Sequence, residues 1–156
     1  MSDVKAVTPQ GLAFIRRQEG LRLQAYRDGG GVWTIGYGHT GTDVQEGLVI
    51  TNEIANQLLT DDLARAILPF NKLNLLANFF PHQVDALAST AFNCGSLGVI
   101  SAQWFKSLCL NDINAVPLWA SWYCHDNAGH FQPGLAARRK AEARLFVFGS
   151  YGSDSP

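Results

Sequence analysis

Glu19, Asp28 and Thr34 fall within fifteen residues of one another, in the stretch EGLRLQAYRDGGGVWTIGYGHT that runs from Glu19 to Thr40. Two carboxyls can cleave a glycosidic bond when their environments differ: one stays protonated and gives its proton to the leaving oxygen, while the other is ionised and activates water or attacks carbon. The surroundings predict such a difference. Glu19 follows Leu12 and Ile15 on one helical stripe and stands at the end of that helix, so burial and the negative end of the helix dipole both favour its neutral form. Arg16, Arg22 or the Arg138/Arg139 pair could oppose them. Asp28 precedes Gly29, Gly30 and Gly31 in a polar turn, where backbone N–H groups can stabilise a carboxylate. Thr34 lies on the strand that follows, on the face of Val32 and Gly36, where its hydroxyl could hold a water. Taken singly, each residue has a plainer reading: Glu19 as the salt-bridge partner of an arginine, Asp28 as a turn residue, Thr34 as a β-branched strand former.

Gly36-Tyr37-Gly38-His39-Thr40-Gly41 matches the G-x-G-x-x-G of dinucleotide sites and follows a predicted strand. That site also needs a helix opening at the third glycine, whose N-terminus holds the pyrophosphate. Here TDVQEG follows, and no helical pattern begins until Thr51, so the glycines are read as turn and close-approach positions. His39, His82, His125 and His130 form no H-E-x-x-H, and no G-x-S-x-G occurs. No cofactor and no metal is expected. Cys94, Cys109 and Cys124 show neither a disulfide framework nor a zinc spacing and are read as small buried hydrophobes.

These residues need elements to position them. Thr8 and Pro9 suit an N-cap and first helical position, with Leu12, Ile15 and Glu19 on one side up to Gly20. Residues 23–38 alternate around the glycine turn as a hairpin. A long helix starts at Thr51 with Ile54, Leu58, Leu59 and Leu63 on one side, reaching Pro69 or, after a bend, Phe80; it could join two lobes. Pro81 opens a largely uncharged helix bearing Val84, Leu87, Ala88, Ala91 and Phe92, as expected for a buried central element. Gly95 to Ser101 reads as a turn, with shorter helices near 102–109, 112–123 and 134–148. The order of helix, small sheet and many helices indicates an α+β fold with a minor β lobe (about 20–50) and a major helical lobe (1–19 and 70–148), forming a single domain over 1–156 with a polar tail at 149–156.

The 156 residues are 47% hydrophobic and 16% charged, within the globular range. No run of 18 apolar residues exists, so no stable membrane insertion is expected. The start, MSDVKAVTPQ, shows no secretory pattern, which points to synthesis in the cytoplasm. A net charge of −1 argues against nucleic acid as a partner. Four cations lie in 16–27 and four in 138–144. If those segments meet, they form a basic patch suited to an anionic polymer; otherwise they are solvated helix faces.

E-G-x-x-L-x-A-Y-x-D and T-I-G-Y-G-H, followed by Gln83-Val84-Asp85-Ala86-Leu87, Ala91-Phe92-Asn93-Cys94-Gly95, Trp122 and Gly134-Leu135-Ala136-Ala137-Arg138-Arg139 with Glu142, closely resemble the phage-type lysozymes. These are also called endolysins or muramidases, glycoside hydrolase family 24. The likeness runs from Gly11 to Phe148, with 96–105 aligning least surely. It implies a lysozyme-like fold, a small β lobe and a larger helical lobe joined by a long helix with the active-site cleft between. It implies Glu19 as general acid, Asp28 as the residue handling the attacking water and Thr34 as the residue positioning it. Thr40 and Phe92, with His39 and Asn93 beside them, are the implied substrate contacts. The implied substrate is bacterial peptidoglycan, cut at the β-1,4 bond between N-acetylmuramic acid and N-acetylglucosamine, with lysis of the host cell. A monomer made in the host cytoplasm and acting in the periplasm would need a holin-type protein for access. A chitin- or chitosan-cleaving glycanase and a non-catalytic wall-binding protein are the alternatives.

Overall fold

Thr8 and Pro9 start the first helix, α1 (Pro9–Glu19), in the computed structural model, which describes residues 4–152. The Thr8 hydroxyl accepts the Gly11 N–H, and proline occupies a position where no intrahelical N–H is needed. Gly20 ends the helix at φ 72°, its N–H donating to the Arg16 carbonyl. Glu19 is therefore the last helical residue, next to the turn into the sheet.

Three antiparallel strands follow in chain order, β1 (Arg22–Arg27), β2 (Trp33–Gly36) and β3 (His39–Thr40). The hairpin read from the alternation is β1–β2; the two-residue β3 is too short to show a period. Tyr26 pairs with Thr34, and Thr34 in turn with Thr40. A small core of Ile35, Val44, Ile50 and Ala55 lies beneath this sheet.

Ala55 belongs to α2 (Asn52–Lys72), capped by the Thr51 hydroxyl, and this helix serves two cores. Its first turn closes the sheet core, while Leu59, Leu63, Ile67 and Phe70 enter the helical core. The buried stripe starts at Ala55 rather than Ile54, which is 47% exposed. The helix also stops at Lys72, three residues past Pro69, because the chain turns at 73–79 before Pro81 opens α3 (Pro81–Cys94).

Every residue of α3 from Val84 to Ala91 is buried, as a central helix requires. Gly95 then reverses the chain at φ 84°, and the segment expected to be a turn forms a six-residue helix, α4 (Ser96–Ser101). Fully buried Val99 anchors it, and the Ser96 hydroxyl donates to the Ala66 carbonyl of α2. Helices α5 (Gln103–Cys109), α6 (Val116–Ala120, entered by a 3-10 turn) and α7 (Pro133–Phe148) complete the lobe, α7 packing most extensively on α3. Trp104 and Trp119 stack in parallel within this core, ring centroids 4.9 Å apart. No helix among the described residues is long and apolar enough to cross a membrane.

Candidate active site

Between the sheet and the helical lobe lies a cleft of about 500 Å³ lined by Glu19, Tyr26, Asp28, Thr34, Gly38, Thr40, Asp62, Phe92 and Asn93. Six of the seven residues singled out in the sequence meet there. The seventh, His39, does not line it: its ring is only 6% exposed, with Nδ1 2.8 Å from Asp62 and Nε2 3.1 Å from Asp43.

Glu19 reaches the cleft from the end of α1, and Arg138 of α7 meets its Oε1 at 2.5 Å. Arg138 is itself buried and also contacts Glu142 Oε1 at 3.1 Å, while Arg139 contacts Glu142 Oε2 at 2.9 Å. Glu142 has no exposed surface; the hydroxyls of Ser89 and Thr90 donate to its two oxygens at 2.6 and 2.8 Å. Arg139 continues the chain to the cleft again by donating to Asn93 Oδ1 at 2.8 Å. Two arginines read as part of a surface patch are thus internal struts between Glu19, Glu142 and Asn93. Buried charges persist only when paired and hydrogen-bonded in this way. The neighbouring Cys94 thiol is pushed up to about 11 by burial, against the pull of the Arg139 guanidinium, so it stays protonated at neutral pH and offers no nucleophile.

Among the described residues Asp28 has no cation partner. Its Oδ1 accepts the N–H groups of Gly30 and Val32, each at 2.9 Å, and its own N–H donates to the Val32 carbonyl at 3.0 Å. That carbonyl also accepts the Thr34 hydroxyl at 3.1 Å. One peptide residue, Val32, therefore ties both groups to the same turn. With its proton committed to the backbone, the Thr34 oxygen keeps lone pairs able to accept from a water in the cleft.

The glycines are explained by backbone geometry. Gly36 has φ 66° and its Cα faces Ala55 and Ile50, where a Cβ would lie 3.6 Å from each. Gly38 has φ 91°, with the Glu19 carboxylate 3.8 Å from the position a Cβ would take. They turn β2 into β3 and let the chain pass beside Glu19, and no helix begins until Asn52.

Tyr26 and Asp62 were not anticipated. Asp62 had a legible signal: it falls seven residues after Ala55 and three after Leu59, so a carboxylate stands on the buried stripe of α2. It bonds His39 through one oxygen and pairs with Arg65 through the other. His39 responds to both acids. Burial alone would lower its pKa, but the hydrogen bonds and charges of Asp62 and Asp43 together outweigh burial and raise it above the ordinary 6.5. The same contact holds the Asp43 carboxyl below its usual range.

A two-lobed fold with carboxylates and a hydroxyl converging on a polar cleft defines a lysozyme-like glycoside hydrolase. The model of the phage lysozyme family matches residues 16–142, and the chain belongs to that family. An endolysin of Acyrthosiphon pisum secondary endosymbiont phage 1 is 36% identical over 146 residues, covering 90% of this chain and 97% of that protein. Among solved structures, an endolysin from Escherichia coli O157:H7 phage FAHEc1 superposes with a TM-score of 0.88 at 28% identity, covering 98% of this chain and all of that one. The muramidase domain of SpmX from Asticaccaulis excentricus superposes at 0.82 with 31% identity, covering 92% and 98%. Membership carries the family's role, lysis of the bacterial cell wall as a muramidase.

Proposed function

We propose that the chain hydrolyses the β-1,4 bond between N-acetylmuramic acid and N-acetylglucosamine in peptidoglycan, with Glu19 as general acid, Asp28 activating the attacking water and Thr34 positioning it. The observation that carries this reading is the unlike support of the two carboxyls facing one cleft. Glu19 emerges from a helix end with its Oε1 taken by Arg138, which leaves Oε2 to carry the proton, whereas Asp28 hangs in a turn whose N–H groups stabilise negative charge. Proton donation to the leaving oxygen belongs to the first and water activation to the second. A water between Asp28 and the Thr34 oxygen would approach the anomeric carbon from the face opposite Glu19, which gives inversion.

Thr40, Phe92 and Asn93 are assigned to the glycan, Phe92 as an apolar surface for a sugar ring and Asn93 as an amide fixed by Arg139. His39 is assigned a positioning role, orienting Asp62 rather than touching sugar. The protein acts as a monomer, and delivery to the wall depends on a separate holin-type protein.

The test is Glu19→Gln on purified Gram-negative sacculi, followed by turbidity and by NMR of the anomer first released. The variant should fold and lose roughly 10²- to 10⁴-fold of the lytic rate, the worth of a general acid. Near-parental clearing by the variant would remove Glu19 from the mechanism. A retained β-anomer from the parent would instead make Asp28 a nucleophile.

A further inference from the structure

The sequence suggested that its first and last basic segments might meet, and they do so away from the cleft with a different membership. Arg138 and Arg139 are withdrawn into the interior, but Arg17 of α1 and Lys140 and Arg144 of α7 line a second cavity of about 490 Å³, floored by Phe14 and Tyr151. Lys140 and Arg144 are four residues apart and share one exposed face of α7. Neither has a carboxylate partner among the described residues. Arg17 donates to the Tyr151 carbonyl at 2.6 Å, which fixes the back wall of the cavity.

The cavity and the cleft lie on opposite sides of the same two helices. Arg17 precedes Glu19 by two residues and Lys140 follows Arg138 by two, and two residues turn a helix by about 200°. Their charges are opposite as well. Among the described residues the cleft is lined by the carboxylates of Glu19, Asp28 and Asp62, the first paired with Arg138 and the last with Arg65, whereas the second cavity is lined by Arg17, Lys140 and Arg144. An anionic chain is drawn to the exposed cations of Lys140 and Arg144.

We propose that this cavity binds the carboxylates of peptidoglycan stem peptides, so that the enzyme holds the wall by its peptides while the cleft holds an uncharged sugar strand. The inference rests on the peptidoglycan reading above. Lys140 and Arg144 supply the charge, and Arg17 with Tyr151 supplies the rigid wall against which a peptide lies.

The experiment compares the parent with the double variant Lys140→Gln/Arg144→Gln on two substrates: intact sacculi, and glycan strands freed of their peptides by an amidase. Binding is measured on the Glu19→Gln background so that the wall survives, and cleavage with Glu19 present. Binding of the double variant to sacculi should weaken about 3- to 10-fold at low ionic strength, the size of two exposed ion pairs, and the difference should vanish at high salt. Binding to and cleavage of peptide-free strands should be unchanged. Equal binding of parent and variant to sacculi overturns the inference, as does an equal loss on stripped strands. A loss seen only for duplex DNA, with sacculus binding unaltered, assigns the cavity to nucleic acid instead. A parent that cleaves neither substrate defeats the muramidase reading, which is a separate result.

Discussion

Glu19 and Asp28 face one cleft from scaffolds built on different physics. On the helical side, Glu19 meets Arg138, which leans on Glu142, which leans on Arg139, and almost all of this chain is buried. On the sheet side, Asp28 relies on two backbone N–H groups of a glycine turn in water. The first arrangement fixes a side chain through charges that cannot lose a partner without leaving another unpaired in the interior. The second fixes it through backbone shape, which tolerates change wherever the dihedrals survive. Disruption is therefore expected to be severe and global on the helical side, and mild and local on the sheet side.

Glu142→Gln is the harshest probe of that contrast. It keeps the side chain's shape while removing the charge that balances Arg138 and Arg139. Breaking a buried pair costs about 3–5 kcal/mol, and urea denaturation should register a loss of that size. Glu19 should then be the sole carboxylate on Arg138, so activity at low temperature should fall too. A loss below about 1 kcal/mol would mean that water reaches the network and that the helical side is no more rigid than the turn.

Core truncations test the same asymmetry without charge. Leu87, in the middle of α3, is surrounded on all sides, whereas Ile35 belongs to a core of four residues under a three-stranded sheet. Leucine- or isoleucine-to-alanine changes cost about 2–5 kcal/mol depending on how far the site collapses around the cavity. Leu87→Ala should fall near the upper end and Ile35→Ala near the lower, because the thin sheet can settle onto α2. Equal losses in denaturant titrations would contradict this difference.

These regions also differ in how much of them could be read beforehand. The Thr8–Pro9 start, the glycine hairpin, the helical pattern from Thr51 and the α3 stripe are local signals, and each produced the expected element. The fate of Arg138 and Arg139 depended on what α3 and α1 bring to α7, which no local pattern contains. Pairing of Glu19 with Arg138 was among the readings open in the sequence, and the spacing of Glu142, four and three residues after the two arginines, hinted at the rest of the network. His39 was misjudged for a similar reason. Its neighbours in sequence line the cleft, but β3 alternates its side chains, so His39 points inward to Asp62 while Thr40 faces the cavity. The six-residue α4 lacks the length to show a period and owes its existence to Val99 and to the Ser96 bond with α2.

His39 gives the sheet side a pH dependence. Its pKa is raised on folding, so the stabilisation is fully present below the unfolded value of about 6.5 and is lost as pH rises through the higher folded value. Asp43 works in the opposite sense, contributing above its unfolded value of about 3.8 and losing that contribution as pH falls through the lowered one. The parent should lose stability as pH climbs from about 6.5, and His39→Gln should flatten that limb of the profile. An unchanged slope in the variant would show that the Asp62–His39–Asp43 contacts carry no protonation-linked stability.

The smallest effects belong to the turn that holds Asp28, where three consecutive glycines have different duties. Gly31 has φ 78°, a conformation that costs an L-residue roughly 1–2 kcal/mol, and its N–H donates to the Asp28 carbonyl at 2.9 Å. Gly29 has no such φ and nothing within 4 Å of the place a Cβ would take. Gly29→Ala should therefore be neutral or stabilise by up to about 1 kcal/mol through a less flexible unfolded chain, with activity intact. Gly31→Ala should cost about 1 kcal/mol and reduce activity, because relaxing that dihedral moves Val32, whose N–H and carbonyl orient both Asp28 and Thr34. If both alanines behave alike in stability and rate, the turn is not what orients Asp28, and the proposed division between a charge-braced acid and a backbone-braced one fails at its weaker end.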